Sequence, residues 1–161
     1  MALIALNPDG TYASTCALCG APLTDPIFAT SHFLGDPSHD LYRFSDAAMH
    51  WNCYIQWPDQ ARFASLYFEA QVRRSETNPW PQYWTVLLRS ADVLVLYGLA
   101  ASEVSIVLRK SGTEIRIARD RWQHWLGGGW RQACRLELEC EAIAPLLSEL
   151  ARLTLPQPVP E

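Results

Sequence analysis

Cys16-Ala17-Leu18-Cys19-Gly20 and His50-Trp51-Asn52-Cys53 are the two stretches on which the reading of this chain turns. In each, the ligand-type residues stand at i and i+3, and 30 residues separate Cys19 from His50. Three thiols and one imidazole complete a tetrahedral set for Zn²⁺. Gly20 supplies the open backbone conformation that a tight metal-binding turn needs. A redox Cys-x-x-Cys would need a helix starting at its first cysteine, and Gly20-Ala21-Pro22 forbids that helix. Two pairs of ligand residues in this order are improbable as ordinary core residues. The expected metal ligands are therefore Cys16, Cys19, His50 and Cys53. Four protein ligands leave no open position, so the expected ion is structural and not catalytic.

Around these pairs the punctuation is dense. Asn7-Pro8-Asp9-Gly10 is a turn, and Thr11–Thr15 reads as a short strand entering the first pair. Ile27–Ser31 and Leu41–Phe44 read as two strands joined through Gly35-Asp36-Pro37-Ser38. Ser45 or Asp46 would cap a helix over Ala47–Ile55, which places His50 and Cys53 on one face of its first two turns. A cysteine knuckle, a hairpin and a helix carrying the second ligand pair, in that order, resembles the treble-clef zinc finger over about residues 14–57. In overall style the chain also resembles small bacterial proteins that pair a zinc knuckle with an α+β domain.

Beyond Pro58 the pattern changes. A helix is expected over Asp59–Arg74, with Phe63, Leu66, Tyr67, Ala70 and Val72 mostly on one face. Ser75–Pro81 contains Asn78-Pro79-Trp80-Pro81 and reads as a linker. Trp84–Leu88, Val93–Tyr97, Glu103–Arg109 and Glu114–Ala118 read as strands, the last two joined by a tight turn at Ser111-Gly112. Arg119–Leu126 reads as a short helix, Gly127-Gly128-Gly129 as a loop and the alternating Cys134–Cys140 as a strand. A last helix is expected over Ile143–Leu153, with Pro145 in its first turn. The fold class is α+β: a zinc module with its following helix at 1–75, an antiparallel-sheet domain at 82–155 and a tail at 156–161, the two parts packed as one unit.

Composition sets outer bounds. The 161 residues are 49% hydrophobic and 19% charged, with seven Trp, so a sizeable core can be buried. The net charge of −4 falls entirely in residues 1–57, where Asp9, Asp25, Asp36, Asp40 and Asp46 face Arg43 alone. Three thiolates on Zn²⁺ would add to that charge, and phosphate backbones repel such a surface. Leu3–Leu6 is too short for a signal peptide, and no apolar run approaches a membrane span. With zinc taking three of five cysteines, a cytoplasmic protein with reduced thiols is expected.

The remaining chemistry is sparse. HNH nucleases share the treble clef, and His39-Asp40 with Asn52 gives a partial match. The helix positions that would hold a catalytic metal are taken by His50 and Cys53. The zinc deaminase pattern of His-x-Glu before Pro-Cys-x-x-Cys is missing. Arg119, Arg121, Arg131 and Arg135 with Trp122, Trp125 and Trp130 form the one basic–aromatic cluster. It reads either as a core helix with snorkelling arginines or as a partner surface. The triple glycine lacks the Lys and Ser/Thr of a phosphate loop. Cys134 and Cys140 have no neighbouring histidine and read as small hydrophobes. The expected function is a non-enzymatic, zinc-stabilised protein that binds another, basic protein, as an adaptor or toxin-immunity protein does. A nucleic-acid binder using residues 119–135 and an HNH-like nuclease are the alternatives.

Overall fold

The computed structural model describes residues 4–77 and 84–157. The chain is α+β, as expected, and divides into two compact units, Met1–Phe63 and Ala64–Glu161. The division falls inside a helix and not at Ser75–Pro81, of which residues 78–81 lie outside the described residues.

The first unit carries little regular structure. Strand β1 (Ile27–Ala29) pairs antiparallel with β2 (Ala48–His50), Ile27 opposite His50. Helix α1 (Trp51–Ile55) follows β2 at once. Thr11–Thr15 is not a strand; it contributes isolated bridges, Leu6 to Tyr12 and Thr15 to Pro22.

Leu41–Phe44 is not a strand either, since Tyr42–Phe44 forms a 3₁₀ turn. The segment from His32 to Ser45 is held by its own polar side chains. The Ser45 hydroxyl accepts the amides of Phe33 and Leu34, both at 2.8 Å, and the Leu41 amide donates to His39 Nδ1 at 3.1 Å. Such local bonds compete with a β ladder. The expected helix start at Ala47 also moves. Residues 48–50 have joined β1, so helix geometry begins only at Trp51.

Aromatic rings fill this unit. Phe28 stacks on Tyr54 with centroids 3.6 Å apart. Phe63 sets its edge against Phe33 at 5.1 Å, and Trp57 lies 5.3 Å away. Leu23, Leu41, Met49 and Trp51 are buried around them.

Helix α2 (Gln60–Glu76) begins in the first unit and continues into the second. There, β3 (Trp84–Arg89), β4 (Val93–Gly98), β5 (Glu103–Leu108) and β6 (Glu114–Ala118) form an antiparallel meander in that order. All four strands match their expected positions. Strand alternation puts Val93, Val95, Tyr97, Val104, Ile106 and Leu108 on one face, where they are buried with Trp122, Trp125 and Trp130. Leu94 and Val107 are cross-strand partners on the other face and are also buried. On that face Arg109 donates to Ser65 and Glu69 of α2, both at 3.0 Å, and its guanidinium lies 4.6 Å from the Phe68 ring centroid. Arg89 pairs with Glu76. The sheet of this unit is therefore covered on both sides, by α2 and by the C-terminal helices.

The C-terminal segment departs furthest from expectation. A 3₁₀ turn over Arg119–Arg121 leads into α3 (Trp122–His124), a wide π-type turn over Trp125–Gly129 and α4 (Trp130–Ala133). The triple glycine is thus not a free loop. It is the kink between helices, and Gly128 at φ 145° takes a conformation closed to other residues. Cys134–Cys140 is not a strand. Helix α5 (Glu137–Ile143) starts within it, because buried Glu139 turns back to accept the amides of Arg135 and Leu136 at 2.7 and 3.3 Å. Leu and Glu are strong helix formers, so the capped helix wins over alternation. A 3₁₀ turn over Ala144–Leu146 carrying Pro145 and helix α6 (Leu147–Leu150) follow, and residues 158–161 of the expected tail lie outside the described residues.

Candidate metal centre

Cys16 and Cys19 sit on a tight turn built by backbone bonds. The Gly20 amide donates to the Cys16 carbonyl, and the Cys16 amide to the Ala21 carbonyl, both at 2.8 Å. Gly20 holds φ 77°, which is why glycine stands there. The Ala17 amide donates to the Ala48 carbonyl at 3.0 Å and so ties this turn to β2. His50 ends β2 and serves as the N-cap residue of α1, and Cys53 lies in the first turn of that helix. The ligand pair is therefore split between a strand end and a helix start.

The four ligand atoms lie within 4.8 Å of one another. His50 Nδ1 is 3.4 Å from Cys19 Sγ and 3.7 Å from Cys53 Sγ. A tetrahedral ion with metal–sulfur bonds of about 2.3 Å and a metal–nitrogen bond of about 2.0 Å has S···N edges of roughly 3.5 Å. The four residues fit one such ion.

The surroundings support the same arrangement. His50 Nε2 lies 2.9 Å from the Pro22 carbonyl oxygen. That oxygen only accepts, so the proton sits on Nε2 and the Nδ1 lone pair faces the thiols, the orientation a metal-bound histidine needs. The His50 amide donates to Cys16 Sγ at 3.3 Å. Burial pushes the Cys16 thiol up, but the amides of Cys19, His50 and Leu18 and the Cys19 thiol bring it down to about 7. Burial and the neighbouring Cys19 and Cys16 sulfurs push Cys53 up to about 11. Such crowding of thiols is relieved by a cation in their midst. Sequence reading picked the four residues that the structure brings together and missed the Pro22 carbonyl, since a backbone acceptor leaves no residue-type signal.

The other candidates are arranged differently. His39 Nδ1 accepts the Leu41 amide, so it cannot offer a proton to Asp40 Oδ1 at 3.1 Å. Asp40 instead accepts two bonds from Arg62, at 2.6 and 2.9 Å, which hold its carboxyl below the ordinary range. His39 is a loop-shaping residue in this geometry. Asn52 is exposed beside the ligands. Trp122, Trp125 and Trp130 are 2–5% exposed, so their faces are occupied by the core and unavailable for stacking bases. Trp122 and Trp125 stack on each other at 5.2 Å. Arg131 lies over the Trp130 ring at 4.4 Å, and Arg121 is exposed. Cys134 is half-buried, donates to the Trp130 carbonyl at 3.2 Å, and is pushed up to about 12 by burial and by Cys140.

Among the described residues no helix is long and apolar enough to cross a membrane. No protein-family model, curated protein or solved structure matches the chain.

Proposed function

We propose that residues 14–57 are a treble-clef-type zinc module and that the chain is a non-enzymatic, cytoplasmic protein that binds a basic protein partner. The observation that carries the zinc reading is the four-ligand set, placed by a knuckle, a two-stranded hairpin and a helix start in that order. Three thiolates and one imidazole suit Zn²⁺ and use every tetrahedral position, so the ion has no site for substrate or activated water. The His39-Asp40 pair is engaged in its own loop and with Arg62, which leaves no free acid–base couple there.

The partner reading rests on charge. Asp9, Asp25, Asp36, Asp40 and Asp46 are all exposed on the first unit, which carries few cations to offset them. Such a surface attracts basic partners and repels phosphate backbones. This is the logic of an adaptor or an immunity-type inhibitor.

Metal analysis of the chain purified without chelator should find one zinc per molecule, and Cys16→Ser should remove it. A partner captured from the native cell and then reconstituted from purified components should be basic. Its affinity should fall in Asp9→Asn/Asp36→Asn/Asp46→Asn while zinc content holds. Binding indifferent to that triple change, or metal-dependent cleavage of nucleic acid by the pure chain, would overturn the reading.

A further inference from the structure

The sheet of the second unit ends on β6, which has β5 on one side and no strand on the other. The register between them runs unbroken from Glu103 opposite Ala118 to Val107 opposite Glu114. The Leu108 amide donates to the Thr113 carbonyl and the Arg119 amide to the Ser102 carbonyl, both at 2.9 Å, one at each end of β6. Those two bonds set the phase of the ladder. Ile115 and Ile117 turn their backbone groups to β5, while Glu114 and Arg116 turn theirs to the open edge. Among the described residues no hydrogen bond reaches those outward amides and carbonyls. Arg116 is exposed and Glu114 half-buried, so this edge lies at the surface.

Bulges and prolines blunt a sheet edge against further pairing. The opposite edge strand, β3, has a register shift between Val86 and Leu88. Strand β6 has neither shift nor proline. Its side chains then decide what can pair with it.

Glu114 and Arg116 stand on one face of β6, and the Arg116 guanidinium donates twice to the Glu114 carboxylate, both at 3.1 Å. Ile115 and Ile117 lie on the other face, in the core. A second copy of β6, running antiparallel, must set outward residues opposite outward residues. Registers centred on Arg116 or on Glu114 place like charges directly opposite each other, which is destabilising. The register centred on Ile115 places Glu114 of each chain opposite Arg116 of the other. The four charges then alternate around a square, and Ile115 meets its own copy on the core face. Within one chain the exposed pair contributes little. We propose that β6 is a self-complementary edge, through which two copies of this chain join their sheets about a two-fold axis at Ile115. All of these residues belong to the second unit, so the proposal rests neither on zinc nor on a basic partner.

The test follows the mass of the full chain by sedimentation equilibrium up to about 1 mM, which captures weak association. One five-residue strand buries less than a standard interface, so a weak dimer is expected. Glu114→Arg and Arg116→Glu should each weaken it at least about tenfold, because two cross-strand attractions become two repulsions, with circular dichroism unchanged. An equimolar mixture of the two variants pairs two arginines on one strand with two glutamates on the other, and it should form a heterodimer as tight as the native dimer. The double reversal Glu114→Arg/Arg116→Glu should also restore self-association. A monomer throughout the range, a dimer indifferent to either single reversal, or a mixture that associates no better than its components would each overturn the proposal.

Discussion

The two units hold their chains together by different physics. The second buries fourteen hydrophobic residues in one cluster over a four-stranded sheet, and burial of that apolar surface is its main support. The first has two three-residue strands and one five-residue helix before α2 begins. Hairpins and helices of that length do not persist alone in water. Its aromatic cluster is dense, yet the long segment from Ala29 to Ala48 contributes only a 3₁₀ turn. With the zinc proposed above, a chain of uniform hydrophobicity would divide its stability between burial and coordination.

Removal of the metal should expose that difference most strongly. Structural zinc sites contribute about 10–16 kcal/mol of apparent binding energy, as much as a whole domain's stability. A strong chelator should therefore abolish hydrogen-exchange protection in β1, β2 and α1 while β4 and β5 keep theirs. Equal loss in both units would break the comparison. Ile106→Ala tests the opposite side. Ile106 is fully buried at the centre of β5, and truncation there should cost about 2–5 kcal/mol in a urea melt of the sheet. Zinc stoichiometry should not change.

Two smaller effects sharpen the picture. At Gly128 an added Cβ would meet no atom within 4 Å, so Gly128→Ala isolates the backbone cost of φ 145°. The expected destabilisation is about 1–3 kcal/mol, confined to the second unit. An undiminished melt would show that the kink between α3 and α4 can relax. Asp40→Asn should be the smallest. The Asp40–Arg62 pair has good geometry but is exposed, and exposed pairs contribute little, so the thermal midpoint of the first unit should not move. A clear drop would mean that coordination is not its main support.

What could be read from residues alone follows from range. The four strands of the meander were legible because Val93–Tyr97 and Glu103–Arg109 state their burial through local alternation. The ligand set was legible because thiol and imidazole spacing is specific. The misreadings lie where a partner distant in sequence, or one buried polar atom, decides. Ala48–His50 looks helical until β1 claims it. Leu41–Phe44 looks extended until Ser45 and His39 bond the segment around it. Cys134–Cys140 alternates like a strand, yet Glu139 caps a helix there. The triple glycine looks like a break, yet Gly128 at φ 145° makes the wide turn across which Trp125 and Trp130 enter the same core.

The ligand set joins Cys16 to Cys53 through a single point. With an ion in place this is a cross-link, and it narrows the unfolded chain as a disulfide does. For a loop of this length the loop-closure effect is about 3–4 kcal/mol. Unlike a disulfide, it opens by competition for the ion and closes without any change of oxidation state. The concentration of free metal then sets what fraction of the first unit is folded. The acidic surface proposed to meet a partner would then be assembled or dissolved by metal supply, with the sheet of the second unit left standing.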